Sequence, residues 1–151
     1  PMMIDNNTDQ NDEAMLNLAM IIDDHDISNF MAQQVLINSK IAKDTIIQPA
    51  GFSAINYLER NHDADELIPE IIFLDLDMPV VSGIDFLERF MLLPLTVREK
   101  SKIVILSGYD KRSELQKWVD NGTVIYYILK PLKPGHLRDF KASEVYQKMI
   151  V

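Results

Sequence analysis

Acidic residues follow two of the apolar runs in the sequence, and their positions indicate where chemistry can take place. The stretch FLDLDMPVVSG, residues 73–83, places Asp75 and Asp77 at the end of an apolar run. An earlier run, LNLAMII, is followed directly by Asp23 and Asp24. Carboxylates that meet at one place repel each other and cannot all ionise unaided, which predicts a positively charged partner. A hard divalent cation with oxygen ligands, above all Mg²⁺, meets that need.

Two further polar residues close apolar runs later in the chain. Ser107 ends the run KIVILS, and Lys130 ends the run VIYYILK. A cation, an ammonium group and a hydroxyl together suit a phosphoryl group, whose negative charge is spread over several oxygens. A carboxylate in such a pocket can attack phosphorus and form an aspartyl phosphate. Each residue alone has an ordinary structural explanation, such as a helix cap for Asp24, so the prediction depends on all of them together.

The elements that must position these residues alternate along the chain about five times. The apolar runs are LNLAMIID, TIIQ, EIIFLD, KIVILS and VIYYILK. The third and fourth lack polar alternation, which is typical of parallel strands covered on both faces. The pattern predicts a doubly wound α/β fold, with a five-stranded parallel sheet and helices on both faces. Ligands of such sheets bind beyond the carboxyl ends of the strands, where the acids, the serine and the lysine are expected to meet.

Helical spacing and capping residues indicate how the helices pack. The first helix is predicted to bury one apolar face, made of Ile27, Phe30, Met31 and Val35. Asp26 or Ser28 is expected at its N-cap. A later helix is predicted to bury Leu115, Trp118 and Val119 and to end at Gly122, because glycine commonly follows the end of a helix.

Composition limits the class of protein. The chain has 151 residues, 47% of them hydrophobic, which fits one domain with its own core. The formal net charge of -8 argues against direct binding to nucleic acid or to an anionic membrane. The absence of cysteine, of a signal core and of a membrane-length apolar run favours the cytoplasm. We expect residues 1–13 to be a flexible acidic N-terminal extension and residues 14–151 to be the folded domain.

The sequence resembles the receiver domain of response regulators, the phosphoacceptor module of two-component signalling, and in particular single-domain regulators of the chemotaxis type. The family's signature positions occur in order in IIDDHD, LDLDMPVVSG, ILSG and YYILKP. The resemblance extends from about Leu16 to Met149 and implies a flavodoxin-like fold with strand order 2-1-3-4-5. The stretch LLPLTVREKSK is long for the family and predicts an extended loop or helix end.

The resemblance implies a role for each site residue. Asp75 would accept a phosphoryl group from a sensor histidine kinase or a histidine phosphotransfer protein. Mg²⁺ would be bound by Asp24, Asp75 and the backbone carbonyl of Asp77, with Asp23 helping through water. Lys130, followed by a cis bond to proline, would pair with Asp75 and then with the phosphoryl oxygens.

The resemblance also implies a switch that a partner protein reads. Ser107 would turn toward the phosphoryl group, and Tyr127 would follow by moving from an outward to an inward position. The altered surface would bind a downstream protein target. By this reading the chain is not an enzyme beyond self-catalysed phosphoryl acceptance. It would be a stand-alone receiver without an output domain, present as a monomer or as a weak phosphorylation-dependent dimer.

Two other functions are weighed against this one. Haloacid-dehalogenase-like aspartyl phosphatases also use an Asp-x-Asp motif, but on their first strand and with Thr or Val where this chain has Pro79. A phosphorylation-independent pseudo-receiver would keep the fold as a binding module, although the intact Asp75, Ser107 and Lys130 argue against it. Nucleotide binding is disfavoured, because DDHDIS stands where a glycine-rich phosphate loop would follow the first strand.

Overall fold

The structure, a computed structural model, describes residues 14–151 and contains a five-stranded parallel sheet. In this part of the chain the strands are β1 (Leu16–Ile22), β2 (Ala42–Gln48), β3 (Ile71–Asp75), β4 (Lys102–Ser107) and β5 (Val124–Leu129). Their order across the sheet is β2-β1-β3-β4-β5, and every neighbouring pair is parallel. The predicted fold class and strand order are therefore confirmed. The expected N-terminal extension, residues 1–13, lies outside the described residues.

Helices connect the strands and cover both faces of the sheet. Within the described range they are α1 (Asp26–Asn38), α2 (Gly51–Arg60), α3 (Gly83–Phe90), α4 (Leu95–Lys100), α5 (Gln116–Asp120), α6 (Pro134–Ala142) and α7 (Glu144–Met149). The stretch LLPLTVREKSK, expected to be a loop or helix end, contains the separate short helix α4. As predicted, Gly122 follows the end of α5, with a φ of 82°, and Leu115 and Trp118 are buried. The predicted burial of Val119 was wrong, because Val119 follows Trp118 directly and adjacent helix residues do not share a face; it is 48% exposed. In residues 14–151, every helix is too short or too polar to cross a bilayer.

Each face of the sheet has its own hydrophobic core. Successive side chains of a strand point to opposite faces, so the fully buried Ile72 and Phe73 of β3 belong to different cores. Leu58 of α2 packs in the first core, whereas Leu36 of α1 and Phe140 of α6 pack in the second. The central strands are apolar on both sides because helices cover both faces.

The first helix buries a different face from the one predicted. Three of the four apolar side chains expected in the core are largely exposed, at 76%, 62% and 59% for Ile27, Phe30 and Met31, whereas Val35 is partly buried and packs against the second core. The side chains that are buried instead are Asn29, Ala32 and Leu36. This second set also has helical spacing, and it contains smaller or more polar residues. The prediction was wrong because it ranked the two faces by side-chain hydrophobicity alone.

The register of the sheet brings the polar strand ends to one edge. The last residue of β1 pairs with the penultimate residue of β3, so Asp23 is level with Asp75. Asp75 pairs in turn with the penultimate residue of β4, which places Ser107 one position further along. Ser107 pairs with the last residue of β5, directly before Lys130. Four residues from separate strand ends thus meet through backbone pairing alone.

Candidate functional site

Three carboxylates meet at the carboxyl ends of β1 and β3. Asp23 and Asp75 are 3% and 1% exposed, and the side chain of Asp24 is 27% exposed. Ligand atoms from these three residues and from His25 all lie within 4.8 Å of one another. Burial raises the pKa of the Asp75 carboxyl, and the negative charge of Asp23 raises it further. The pocket therefore disfavours full ionisation unless positive charge enters it.

Lys130 supplies positive charge from the end of β5. Its Nζ lies 3.0 Å from Asp75 Oδ1 and 3.4 Å from Asp23 Oδ2. Burial alone would lower the pKa of Lys130, but the hydrogen bond to Asp75 and the nearby negative charges outweigh burial and raise it. The bond from Lys130 to Pro131 is cis, as the resemblance implies. One ammonium group among three carboxylates leaves the ionised pocket with net negative charge.

Two carboxylate oxygens of the pocket show whether its residues could hold a cation. Asp75 Oδ2 and Asp24 Oδ1 are buried and have no hydrogen-bond partner. An unsatisfied buried polar group costs about 1–3 kcal/mol, more if it is charged, so these oxygens favour binding of a ligand. Anionic oxygen donors are the ligands that Mg²⁺ prefers. The residues present, Asp23, Asp24 and Asp75, therefore fit the predicted Mg²⁺ site.

Asp77 faces the loop after β4 and not the other acids. Its Oδ1 lies 2.8 Å from Lys111 Nζ, and its Oδ2 accepts a hydrogen bond from the Gly108 backbone N–H at 3.0 Å. Burial would raise the pKa of Asp77, but the Gly108 amide and the Lys111 ammonium outweigh burial and lower it. Its backbone N–H donates to Asp75 Oδ1 at 2.9 Å. The Asp77 carboxylate lies outside the group of metal-ligand atoms, and a contribution through its backbone carbonyl stays a prediction.

Ser107 and Tyr127, the two predicted switch residues, share one hydrogen-bond acceptor. The buried Ser107 hydroxyl donates to the Tyr109 backbone carbonyl at 2.8 Å, and the Tyr127 hydroxyl donates to the same carbonyl. The Tyr127 hydroxyl also accepts from the Lys111 backbone N–H at 2.9 Å. The Tyr127 ring is partly buried and packs against the core. A rearrangement at Ser107 therefore alters an acceptor on which Tyr127 also depends.

Two residues at the start of α1, His25 directly before it and Asn29 in its first turn, were missed in the sequence. His25 occupies the N-cap position of α1, where the sequence predicts Asp26 or Ser28, and its backbone N–H donates to Asp23 Oδ1 at 3.0 Å. Asn29, 2% exposed, donates from Nδ2 to the Asp23 backbone carbonyl at 2.8 Å. A polar amide inside an apolar helical pattern was the available signal for Asn29. Together these two residues fix the position of Asp23.

Comparison with known sequences identifies a family. The model of the response regulator receiver domain matches residues 19–140. The chain is 33% identical over 119 residues to a response regulatory protein of Vibrio cholerae, covering 79% of this chain and 44% of that protein. A similar protein of Vibrio vulnificus is 38% identical over 74 residues, which are 49% of this chain and 27% of that protein. The chain thus spans less than half the length of these curated relatives.

Solved structures agree with the sequence comparison. A two-component response regulator from Cytophaga hutchinsonii has a TM-score of 0.75 and 26% identity, covering 89% of this chain and 97% of that one. The chemotaxis protein CheY4 of Vibrio cholerae has a TM-score of 0.64 at 17% identity over 90% of this chain and 99% of that one, a likeness of fold alone. The family match, which extends from β1 into α6, shows that the chain belongs to the response regulator receiver domain family.

Proposed function

We propose that Asp75 accepts a phosphoryl group from a phosphohistidine on a sensor histidine kinase or a histidine phosphotransfer protein. An oxygen of the Asp75 carboxylate bonds to phosphorus as the P–N bond breaks, and the imidazole leaves with the bonding electron pair. The product is an aspartyl phosphate on this chain. The observation that carries the proposal is the buried, unpartnered Asp75 Oδ2, on a carboxylate whose other oxygen lies 3.0 Å from Lys130 Nζ.

Asp23, Asp24 and Asp75 would bind the Mg²⁺ that the transfer requires, and the backbone carbonyl of Asp77 would complete the protein ligands. When bound, Mg²⁺ supplies positive charge that keeps the acids ionised and neutralises phosphoryl oxygens. Lys130 has three donors, and its contacts with Asp75 and Asp23 leave room to bind an incoming oxygen. The acids and the lysine thus have separate tasks in positioning the phosphoryl group.

The loop after β4 would convert phosphorylation into a change of surface. A phosphoryl oxygen offers Ser107 an acceptor that competes with the Tyr109 carbonyl. If the Ser107 hydroxyl leaves that carbonyl, the hydrogen bonding of the Tyr127 hydroxyl changes with it. A near-complete shift between two states needs on the order of 5 kcal/mol of bias. A downstream protein target would recognise the altered surface formed by this loop and β5.

The proposal extends to the setting in which the chain works. The chain would accept the phosphoryl group itself, without turnover of a separate substrate. The net charge of -8 supports action through proteins, with no direct contact with nucleic acid or membrane. We place it in the cytoplasm, as a monomer or a weak phosphorylation-dependent dimer.

A low-molecular-weight phosphodonor tests the central step. The protein is incubated with acetyl phosphate and Mg²⁺, and its intact mass is measured. We expect a gain of one phosphoryl group in the natural sequence and none in Asp75→Asn. The matched control is Asp77→Asn, which should still be phosphorylated because the Asp77 carboxylate faces Lys111, 2.8 Å away, and lies outside the acid cluster.

Three results would contradict the proposal in different ways. A phosphorylated Asp75→Asn protein would place the acceptor elsewhere. Continuous release of phosphate from a generic phosphate monoester would indicate the aspartyl phosphatase. A natural protein that binds Mg²⁺ and yet stays unmodified by both acetyl phosphate and phosphohistidine donors would indicate the pseudo-receiver.

A further inference from the structure

We propose that the acid pocket of this chain also binds a divalent transition cation of the Mn²⁺ to Zn²⁺ series, with the His25 imidazole as a nitrogen ligand. The inference rests on the proposed function in one respect, because it uses the same cation pocket. It adds a ligand and an ion preference that the carboxylates alone do not give. The proposal depends on one observation, the position of His25 Nδ1 among the acids.

The distances from His25 fit ligands of a shared ion. Nδ1 lies 3.1 Å from Asp24 Oδ1 and 3.5 Å from Asp23 Oδ1. Two ligands about 2.1 Å from one ion are about 3 Å apart at an octahedral right angle and about 3.4 Å apart at a tetrahedral angle. Both measured separations therefore match neighbouring positions in a coordination shell.

Two carboxylate oxygens of the acid cluster have no hydrogen-bond partner within the protein. Asp24 Oδ1 has no hydrogen-bond partner although Nδ1 lies 3.1 Å away, so their contact lacks hydrogen-bond geometry. Asp75, 1% exposed and part of the same group, also has an unpartnered buried oxygen, Oδ2. A cation in the pocket would satisfy these buried oxygens, whose burial without a partner costs free energy.

The His25 side chain is available for this role. It makes no side-chain hydrogen bond to cap α1, although it occupies the N-cap position. Its backbone N–H donates to Asp23 Oδ1 at 3.0 Å, which keeps the residue beside the acids. The backbone therefore holds His25 beside the pocket, with the imidazole Nδ1 within reach of an ion bound by the acids.

A nitrogen ligand discriminates between classes of ion. Mg²⁺ prefers oxygen ligands and retains several waters, so it gains little from an imidazole. Imidazole suits Fe²⁺, Ni²⁺, Cu²⁺ and Zn²⁺, and the affinity of a given site generally rises from Mn²⁺ to Cu²⁺, with Zn²⁺ also bound well. We therefore expect His25 to strengthen binding of transition ions without changing binding of Mg²⁺.

Pulsed EPR of the Mn²⁺-loaded protein detects a nitrogen ligand directly, and calorimetry measures the affinity for Mg²⁺ and Zn²⁺. The variant is His25→Phe, which keeps a planar ring without a ligating atom. The control is His62→Phe, because His62 follows the C-terminal end of α2 and lies outside the ligand group. Nitrogen hyperfine coupling should appear in the natural protein and in His62→Phe and vanish in His25→Phe. Zn²⁺ affinity should fall about tenfold or more in His25→Phe alone, with Mg²⁺ affinity unchanged.

The outcomes separate this inference from the proposed function. If Mg²⁺ binds and Asp75 is phosphorylated but the natural protein shows no nitrogen coupling, the His25 role is wrong and the proposed function stands. Nitrogen coupling that persists in His25→Phe would also overturn the inference. Failure of the natural protein to bind either ion would remove both the inference and the proposed Mg²⁺ site.

Discussion

The pocket has two sides that differ in how far their polar groups are already paired. The acid side consists of Asp23, Asp24 and Asp75 at the ends of β1 and β3, and two of its oxygens are buried without hydrogen-bond partners. The loop side consists of residues 107–111 with Tyr127, where the Ser107 and Tyr127 hydroxyls both donate to a carbonyl. The acid side can gain a ligand without losing a bond, whereas the loop side must break bonds to respond. The proposed binding and the proposed switching thus fall on different sides of one pocket.

The pKa shifts of Asp75 and Asp77 separate the two sides further. The pKa of Asp75 is raised by burial, so its ionisation costs stability, and this cost appears as the pH rises through the raised pKa. Burial would also raise the pKa of Asp77, but its bonds to Gly108 and Lys111 outweigh burial and lower that pKa. Asp77 therefore contributes stability above its ordinary pKa, and that contribution is lost as the pH falls through the lowered value. Two carboxylates two residues apart have opposite effects on folding at neutral pH.

The largest expected change in stability comes from adding a methyl group at Gly83, which lies behind the acid side. A Cβ at Gly83 would lie 2.6 Å from Leu76 Cα and 3.0 Å from the Asp75 backbone oxygen, and backbone atoms cannot move aside cheaply. Gly83→Ala should therefore lower the free energy of unfolding by about 1–3 kcal/mol or more, measured by denaturant titration. On the loop side, a Cβ at Gly108 would have Asp77 Oδ2 as its nearest neighbour, at 3.7 Å, an ordinary contact. Gly108→Ala should stay within about 0.5 kcal/mol of the natural protein, and equal losses in both variants would contradict this contrast.

Asp24→Asn tests whether the acid side is strained without a cation. The change removes one of three clustered like charges, so the metal-free protein should keep its stability or gain about 0.5–1 kcal/mol. The same change removes a proposed ligand, and Mg²⁺ affinity should fall about tenfold, equivalent to about 1.4 kcal/mol. Thermal unfolding at neutral pH with and without Mg²⁺ measures both effects, since an ion that binds only the native state raises the melting temperature.

The control for Asp24→Asn is Asp26→Asn, which neutralises an exposed acid in the first turn of α1. This control should keep the full response to Mg²⁺, because Asp26 lies outside the group of ligand atoms. An Asp24→Asn protein that is less stable without Mg²⁺ and responds normally to it would show that the acid side carries neither strain nor the ion.

The position of the site could be predicted because it depends on where apolar runs end. The run KIVILS coincides with β4, and the runs that precede Asp23, Asp75 and Lys130 all form parallel strands. Parallel pairing then brings these ends to one edge whatever the details of packing. Local pattern and topology were together sufficient to place the acids and the lysine within contact of each other.

Side-chain partners and packing faces could not be predicted in the same way. Residues at helical spacing form two possible buried faces on α1. The less apolar face is the one that is buried, and its Asn29 donates a hydrogen bond to the Asp23 carbonyl. The ion pair between Lys111 and Asp77 joins residues 34 positions apart, with no local signal in either segment. Both features depend on tertiary contacts, which override local hydrophobic pattern.

The smallest expected effect tests whether the loop side acts as one network. Ser107→Ala and Tyr127→Phe each remove one donor to the Tyr109 carbonyl, and each should cost about 0.5–1.5 kcal/mol. Because the two donors share one acceptor, the double variant should depart from additivity by about 0.5 kcal/mol or more in denaturant unfolding. Tyr126→Phe is the matched control, since Tyr126 packs against the core on the opposite face and should combine additively with Ser107→Ala. Additive behaviour of the Ser107 and Tyr127 pair would mean that the two hydroxyls act independently, and a switch passing from one to the other would then need a different physical connection.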